Sequence, residues 1–136
     1  MSYAVSAALQ AAVFQRLVAD APLDALVDGA IYDTVPPGAV PSLYVSLGPE
    51  DARDRSDVTG GGAEHVFTVS VVTDAAGFQQ AKAVAGAVSD ALVDADLSLT
   101  RGQLVSLNFD RARARRIENA DIRRIDLSFR ARVCDS

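Results

Sequence analysis

The sequence contains no tryptophan, one cysteine (Cys134), one histidine (His65) and only four cationic residues in its first 99 positions. Each shortage excludes something. With one cysteine there is no internal disulfide and no cysteine-based zinc cluster, and an intracellular or virion setting fits better than a small stapled secreted scaffold. With one histidine a multi-histidine metal site is impossible. His65 opens an apolar strand beside a glycine run, where a surface role is the plainer expectation than a His–carboxylate pair. No basic segment followed by an apolar stretch opens the chain, so no signal peptide is expected. Charge interrupts every apolar run before the roughly 18 residues that a membrane span needs, so a soluble protein with no membrane partner is expected. No nucleophile elbow, phosphate loop or dinucleotide fingerprint is present. Gly60-Gly61-Gly62 leads into a strand, whereas phosphate cradles lead into helix N-termini. Asp51, Asp54 and Asp57 are spaced by three with no closing glutamate, which is wrong for a calcium loop. The expectation is a chain without catalytic residues, cofactor or metal, and therefore not an enzyme.

What is present is one domain's worth of core. At 136 residues and 49% hydrophobic content, positions 1–136 suit a single domain with one interior. Alanine fills much of the helical sequence, so the core is thin per residue and would gain from neighbouring subunits. Charge is unevenly divided. Residues 1–99 carry 4 Lys+Arg against 13 Asp+Glu, a net of −9, and residues 100–136 carry 9 against 5, a net of +4. Such polarity serves a ring, where the basic end of one subunit can face the acidic end of the next; two separately solvated faces are the plainer alternative.

Periodicity orders the elements. Val5, Leu9, Val13 and Leu17 recur at helical spacing and predict a helix over 4–20, stopped by Pro22. Leu23, Leu26 and Val27 predict a further short helical turn, ended by Gly29. Ile31–Asp33 suits a short strand, and Leu43, Val45 and Leu47 alternate as a strand should. Residues 48–63 offer almost no apolar anchor and read as a long mobile loop. His65–Thr73 predicts a strand with Phe67, Val69 and Val71 on one face, and Val66 and Val72 on a partly covered other face. Phe78, Ala81, Ala85, Val88 and Leu92 mark a second helix over 78–93. Val105, Leu107 and Phe109 start a strand that continues through Arg111, Arg113, Arg115 and Arg116. Ile125, Leu127, Phe129, Ala131 and Val133 alternate with charged residues in the last one. The expected fold class is α+β: two helices on one face of a mixed or antiparallel sheet, in the order α-β-β-β-α-β-β, with the 48–63 loop.

Two groups of residues stand out as a candidate partner interface: Asp51, Arg53, Asp54, Arg55 and Asp57, and Arg111, Arg113, Arg115 and Arg116. Arg111, Arg113 and Arg115 share a strand face, with Arg116 turned away. Three aligned arginines could grip phosphates, yet aromatic platforms for bases are missing nearby, since the core pattern claims Phe109 and Phe129. Overall acidity also favours carboxylate-bearing protein partners over nucleic acid.

The ordered set of segments resembles a known family. Leu9-Gln10-Ala11-Ala12-Val13 opens the Ala-rich helix, and Ile31 to Gly38 reads IYDTVPPG. Pro41 to Gly48 reads PSLYVSLG, followed by Gly62-Ala63-Glu64-His65 and Gly77 before the second helix. Asp96-Leu97-Ser98-Leu99, Leu104-Val105-Ser106-Leu107 and the arginine-rich ending complete it. Together they resemble the tail terminator, or tail-completion, proteins of siphophage-like particles, most of all those of bacterial gene transfer agents. The resemblance implies a two-layer α+β subunit of a homohexameric ring. That ring caps the head-proximal end of the tail tube and joins it to the neck, and DNA crosses its lumen without sequence-specific binding. The implied partners are further copies of the chain, the major tail tube protein and the head-completion or stopper protein. The implied place is the tail or neck of a virion or virus-like particle assembled in the bacterial cytoplasm. It supplies no catalytic or binding residue by motif. The alternatives are another neck component, such as the stopper, or a small ligand- or nucleic-acid-binding α+β domain.

Overall fold

Helix α1 covers Ser6–Ala19 and buries Ala8, Leu9, Val13 and Leu17, the stripe its spacing predicts. Asp20 ends it in an extended conformation and at once caps α2 (Ala21–Val27), its carboxylate accepting the Leu23 N–H at 3.1 Å. Pro22 sits in the first turn of α2, where its missing N–H is harmless. Asp28 and Gly29, with φ of 52° and 76°, turn the chain out of α2. There follow β1 (Ile31–Tyr32), β2 (Leu43–Asp54), β3 (Gly62–Thr73), α3 (Gln79–Leu92), β4 (Gln103–Ile117) and β5 (Ile122–Cys134). These elements come from a computed structural model that describes residues 3–56, 61–117 and 121–135. Among the described residues, no helix is long and apolar enough to cross a membrane.

The five strands form one mixed sheet in the order β1-β2-β3-β5-β4. β1 runs parallel to β2, and every other neighbouring pair is antiparallel. The helices form a second layer on one face, so the α+β class holds. Leu9, Leu17 and Leu23 from the helices join Val84 and Val88 of α3 and Val45, Val69, Leu127 and Phe129 of the sheet in one buried cluster. Phe129 is fully buried and stacks on Phe67 at 5.7 Å between ring centroids. Burial of one such ring stabilises the fold by about 1.5–3 kcal/mol. On the other face of β3, Val72 is buried and Val66 half-buried, the partial cover that the sequence predicts.

The expectation of a mobile loop over 48–63 is corrected. β2 continues to Asp54, and its ladder with β3 runs from Glu50↔Phe67 to Asp54↔Ala63; Gly62 and Ala63 already belong to β3. Of the expected loop, only residues 57–60 lie outside the described residues. The physical reason is that β1 covers only Val45 and Ser46. Past Leu47, β2 is an edge strand held by main-chain hydrogen bonds, and these leave no apolar alternation to read. Gly48 and Pro49 are taken up by a bulge between Leu47 and Glu50, where a proline without an N–H is tolerated.

The entry to β4 has its own demand. Gly102 adopts φ +73°, and a Cβ there would stand 2.8 Å from the carbonyl oxygen of Cys134. Only glycine meets both conditions.

Candidate functional site

The alternation of β5 buries Ile125, Leu127, Phe129, Ala131 and Val133 against the helices. Arg124, Asp126, Ser128, Arg130 and Arg132 therefore stand on the opposite face, which no helix among the described residues covers. β4 reaches that open face by a change of parity. Leu107, Phe109, Arg111 and Arg113 are all odd-numbered, so an unbroken strand would point apolar and cationic residues the same way. β4 carries two bulges, and the second prevents this. Leu104 pairs with Val133 and Ser106 with Arg132, so Val105 is extra; Phe109 pairs with Phe129 and Arg111 with Ser128, so Asp110 is extra. The second bulge turns Arg111, Arg113 and Arg115 onto the open face, opposite Ser128, Asp126 and Arg124. Arg116 falls on the helix side and pairs with Asp121 at 3.4 Å.

Two sequence expectations change here. Val105, read as alternating in step with Leu107 and Phe109, is the bulge residue and is 61% exposed. Phe109 keeps the core-facing side and meets Phe129 edge-on at 6.0 Å, yet it is 46% exposed because β4 runs beyond the helix layer.

Part of the open face is tied together by charge. Asp126 Oδ1 accepts from the Ser70 hydroxyl at 2.7 Å and from Arg124 Nε at 2.8 Å, and Arg115 lies 3.6 Å from Oδ2. Burial pushes the Asp126 carboxyl up, but Ser70, Arg124 and Arg115 outweigh it and hold the group below the ordinary carboxylate range. Arg130 bridges Asp110 at 2.8 Å and Glu64 at 3.7 Å, and Arg55 reaches Glu64 at 3.8 Å. The side chains of Arg111 and Arg113 are exposed and make no hydrogen bond or ion pair among the described residues.

The structure does not bring the two candidate groups together. Asp51, Arg53 and Asp54 lie on β2 and Arg55 just beyond it; Asp57 lies outside the described residues. Through β3 and β5, Asp51 is level with Val66, Arg130 and Asn108, whereas Arg113 is level with Asp126, Ser70 and Ser46. The acidic hairpin end and the arginine segment thus occupy opposite ends of the sheet and opposite edges. The Asp54 carboxylate accepts the Ser56 hydroxyl at 2.6 Å, which holds its pKa below the usual value.

Sequence reading missed a polar cluster under α1. His65 is fully buried, which corrects its expected surface role, and its Nδ1 lies 3.1 Å from Glu50 Oε2. Glu50 also accepts from the Tyr3 hydroxyl at 2.5 Å and the Ser6 hydroxyl at 2.8 Å, and the Tyr3 ring stacks on the imidazole. Burial raises the Glu50 carboxyl, but these three donors win and lower it. The available signal was parity: His65 shares the face of Phe67, Val69 and Val71. The cluster pins the start of α1 to the β2–β3 hairpin. The adjoining crevice, lined by Leu9, Val13, Leu47, Glu50 and Phe67 among others, holds about 20 Å³, room for about one water and not for a metabolite. Among the described residues no group of three or more His, Cys, Asp or Glu is placed to hold a metal ion.

Comparison with known proteins agrees in direction with these features. The family model for tail completion protein gp17 matches residues 11–134. A chain in the solved virion of a native gene transfer agent particle is 68% identical, with a TM-score of 0.92 over 98% of this chain and 99% of that one. No curated protein matches.

Proposed function

Because the chain belongs to the tail completion protein gp17 family and is thereby a structural virion component of the tail or neck, we propose that it is a ring-forming tail terminator. In this reading six copies cap the head-proximal end of the tail tube, stop its growth and offer the head side a docking surface, with DNA crossing the lumen. Its partners are its own copies, the major tube protein and the head-completion protein, and its role is mechanical rather than catalytic. The observation that carries this beyond family membership is the unequal sheet. One face is sealed by helices, while the other is wet and charged, with Arg111 and Arg113 unsatisfied within the described chain. Such groups suit carboxylates on a neighbour. Asp51, Arg53, Asp54 and Arg55 at the end of the β2–β3 hairpin, together with Asp57 outside the described residues, make the second contact surface in this reading. Asp51, Arg53 and Asp54 are presented by paired strands rather than by a loop that orders on binding.

The test is removal of the chain from a particle-producing strain, followed by electron microscopy. Tubes of unregulated length without heads support the terminator. Tubes of normal length beside filled heads that leak DNA assign the chain to the stopper position in the neck instead.

A further inference from the structure

The sheet ends in two unlike edges. One is β4, whose outer side pairs with no strand among the described residues. Its bulges at Val105 and Asp110 blunt the first half, and the regular stretch Arg111–Ile117 follows. A long open edge presents main-chain N–H and C=O groups ready for another strand. The other edge is β1 together with β2 beyond it, because β1 covers only Val45 and Ser46. We propose that the Arg111–Ile117 edge of β4 hydrogen-bonds antiparallel to the β1–β2 edge of a second copy, so that the sheet continues from subunit to subunit. This deepens the ring reading and rests on it.

Three observations select this occupant. The first is direction. β2, β3, β5 and β4 alternate in sense, so β4 runs opposite to β1 and β2. Copies set side by side in the same orientation therefore meet as antiparallel strands, a head-to-tail contact that can close into a ring. The second is charge. The stretch Arg111–Ile117 carries four arginines and no carboxylate. Two β4 edges brought together would set arginine against arginine, which is destabilising. At the level of Arg111 and Arg113 the opposite edge carries Asp33, exposed just after β1, and no cation. The third is room. On the helix side the free stretch presents exposed Ala112 and Ala114 before Arg116, so an incoming strand meets no bulky side chain there up to Arg115.

The experiment uses the full chain assembled with its tube protein. A benzophenone amino acid replaces Ala114, and cross-links are mapped by mass spectrometry. In parallel, amide exchange is followed in the unmodified chain before and after assembly. Expected are adducts within residues 31–54 of a second copy, and exchange at Arg111–Ile117 slowed by roughly tenfold or more. Arg113→Glu should raise the concentration needed for assembly by roughly tenfold or more, with the melting of the isolated chain unchanged. Rings that form without slowed exchange, or with adducts only elsewhere, overturn the edge pairing and leave the ring reading standing. Adducts on β4 itself overturn it in favour of two-fold pairing, and adducts on tube protein alone overturn it in favour of another partner. A chain that stays monomeric beside its tube protein overturns the edge pairing and the ring reading together.

Discussion

The two antiparallel hairpins of this sheet are built on opposite principles. The β2–β3 hairpin is stitched to the helix layer: β3 is central, and Tyr3, Ser6 and His65 converge on Glu50 beneath α1. The β4–β5 hairpin is buried along β5 and, on β4, chiefly at Leu107. From Asn108 to Arg116, β4 keeps solvent on both faces apart from half-buried Asp110. A residue's contribution to stability should therefore depend on which hairpin carries it, even where the side chain is the same. What the second hairpin gives up in burial it keeps as exposed surface, the surface the proposed ring contact would use.

Phe129 and Phe109 make the sharpest contrast, since they are direct cross-strand partners. Phe129→Ala should lower unfolding stability by about 3–5 kcal/mol, and Phe109→Ala by about 1 kcal/mol or less, read from denaturant midpoints. Equal losses would break the comparison. His65→Ala should come next, at about 2–3 kcal/mol, because it opens a buried site and strips Glu50 of a partner; a neutral result would deny the latch under α1. Asp126→Asn should lose about 1 kcal/mol at neutral pH, and it should also change the response to acid. Glu50 and Asp126 are both held below their ordinary values of 4.5 and 3.8. Their stabilisation is complete above those values and is lost as pH falls through the lowered ones. Stability followed from about pH 6 to about pH 3 should fall less steeply in Asp126→Asn than in the wild type. The smallest change is expected at Arg111→Ala and Arg113→Ala, within about 0.5 kcal/mol in the isolated chain; a larger shift in melting would mean that these arginines serve the fold.

How much of this could be read from the residues depended on how each element is held. β5 was legible because half of it faces a core and half faces water, so alternation shows directly. The helices α1 and α3 were legible from their stripes. β2 beyond Leu47 was not, since a main-chain ladder at an open edge needs no apolar partner and Asp51–Asp54 read as loop. β4 carried a clue in a contradiction, with Phe109 and Arg111 claiming the same face; an inserted residue is the physical way out, and Asp110 is that residue. His65 was misplaced because neighbouring glycines outweighed its parity with Phe67. The arginines were placed correctly on one face, whereas their distance from the acidic hairpin end followed from strand order, which spacing does not encode.

The exposure of Arg111 and Arg113 has a consequence for the assembled particle. Attraction made through groups that stand in water weakens with dissolved ions, whose screening distance shrinks from about 10 Å at 0.1 M to about 3 Å at 1 M. The Phe67–Phe129 interior has no such sensitivity. On the proposed edge pairing, concentrated brine should therefore loosen the joint between subunits while each subunit stays folded, so that salt tolerance reads the seam apart from the bricks.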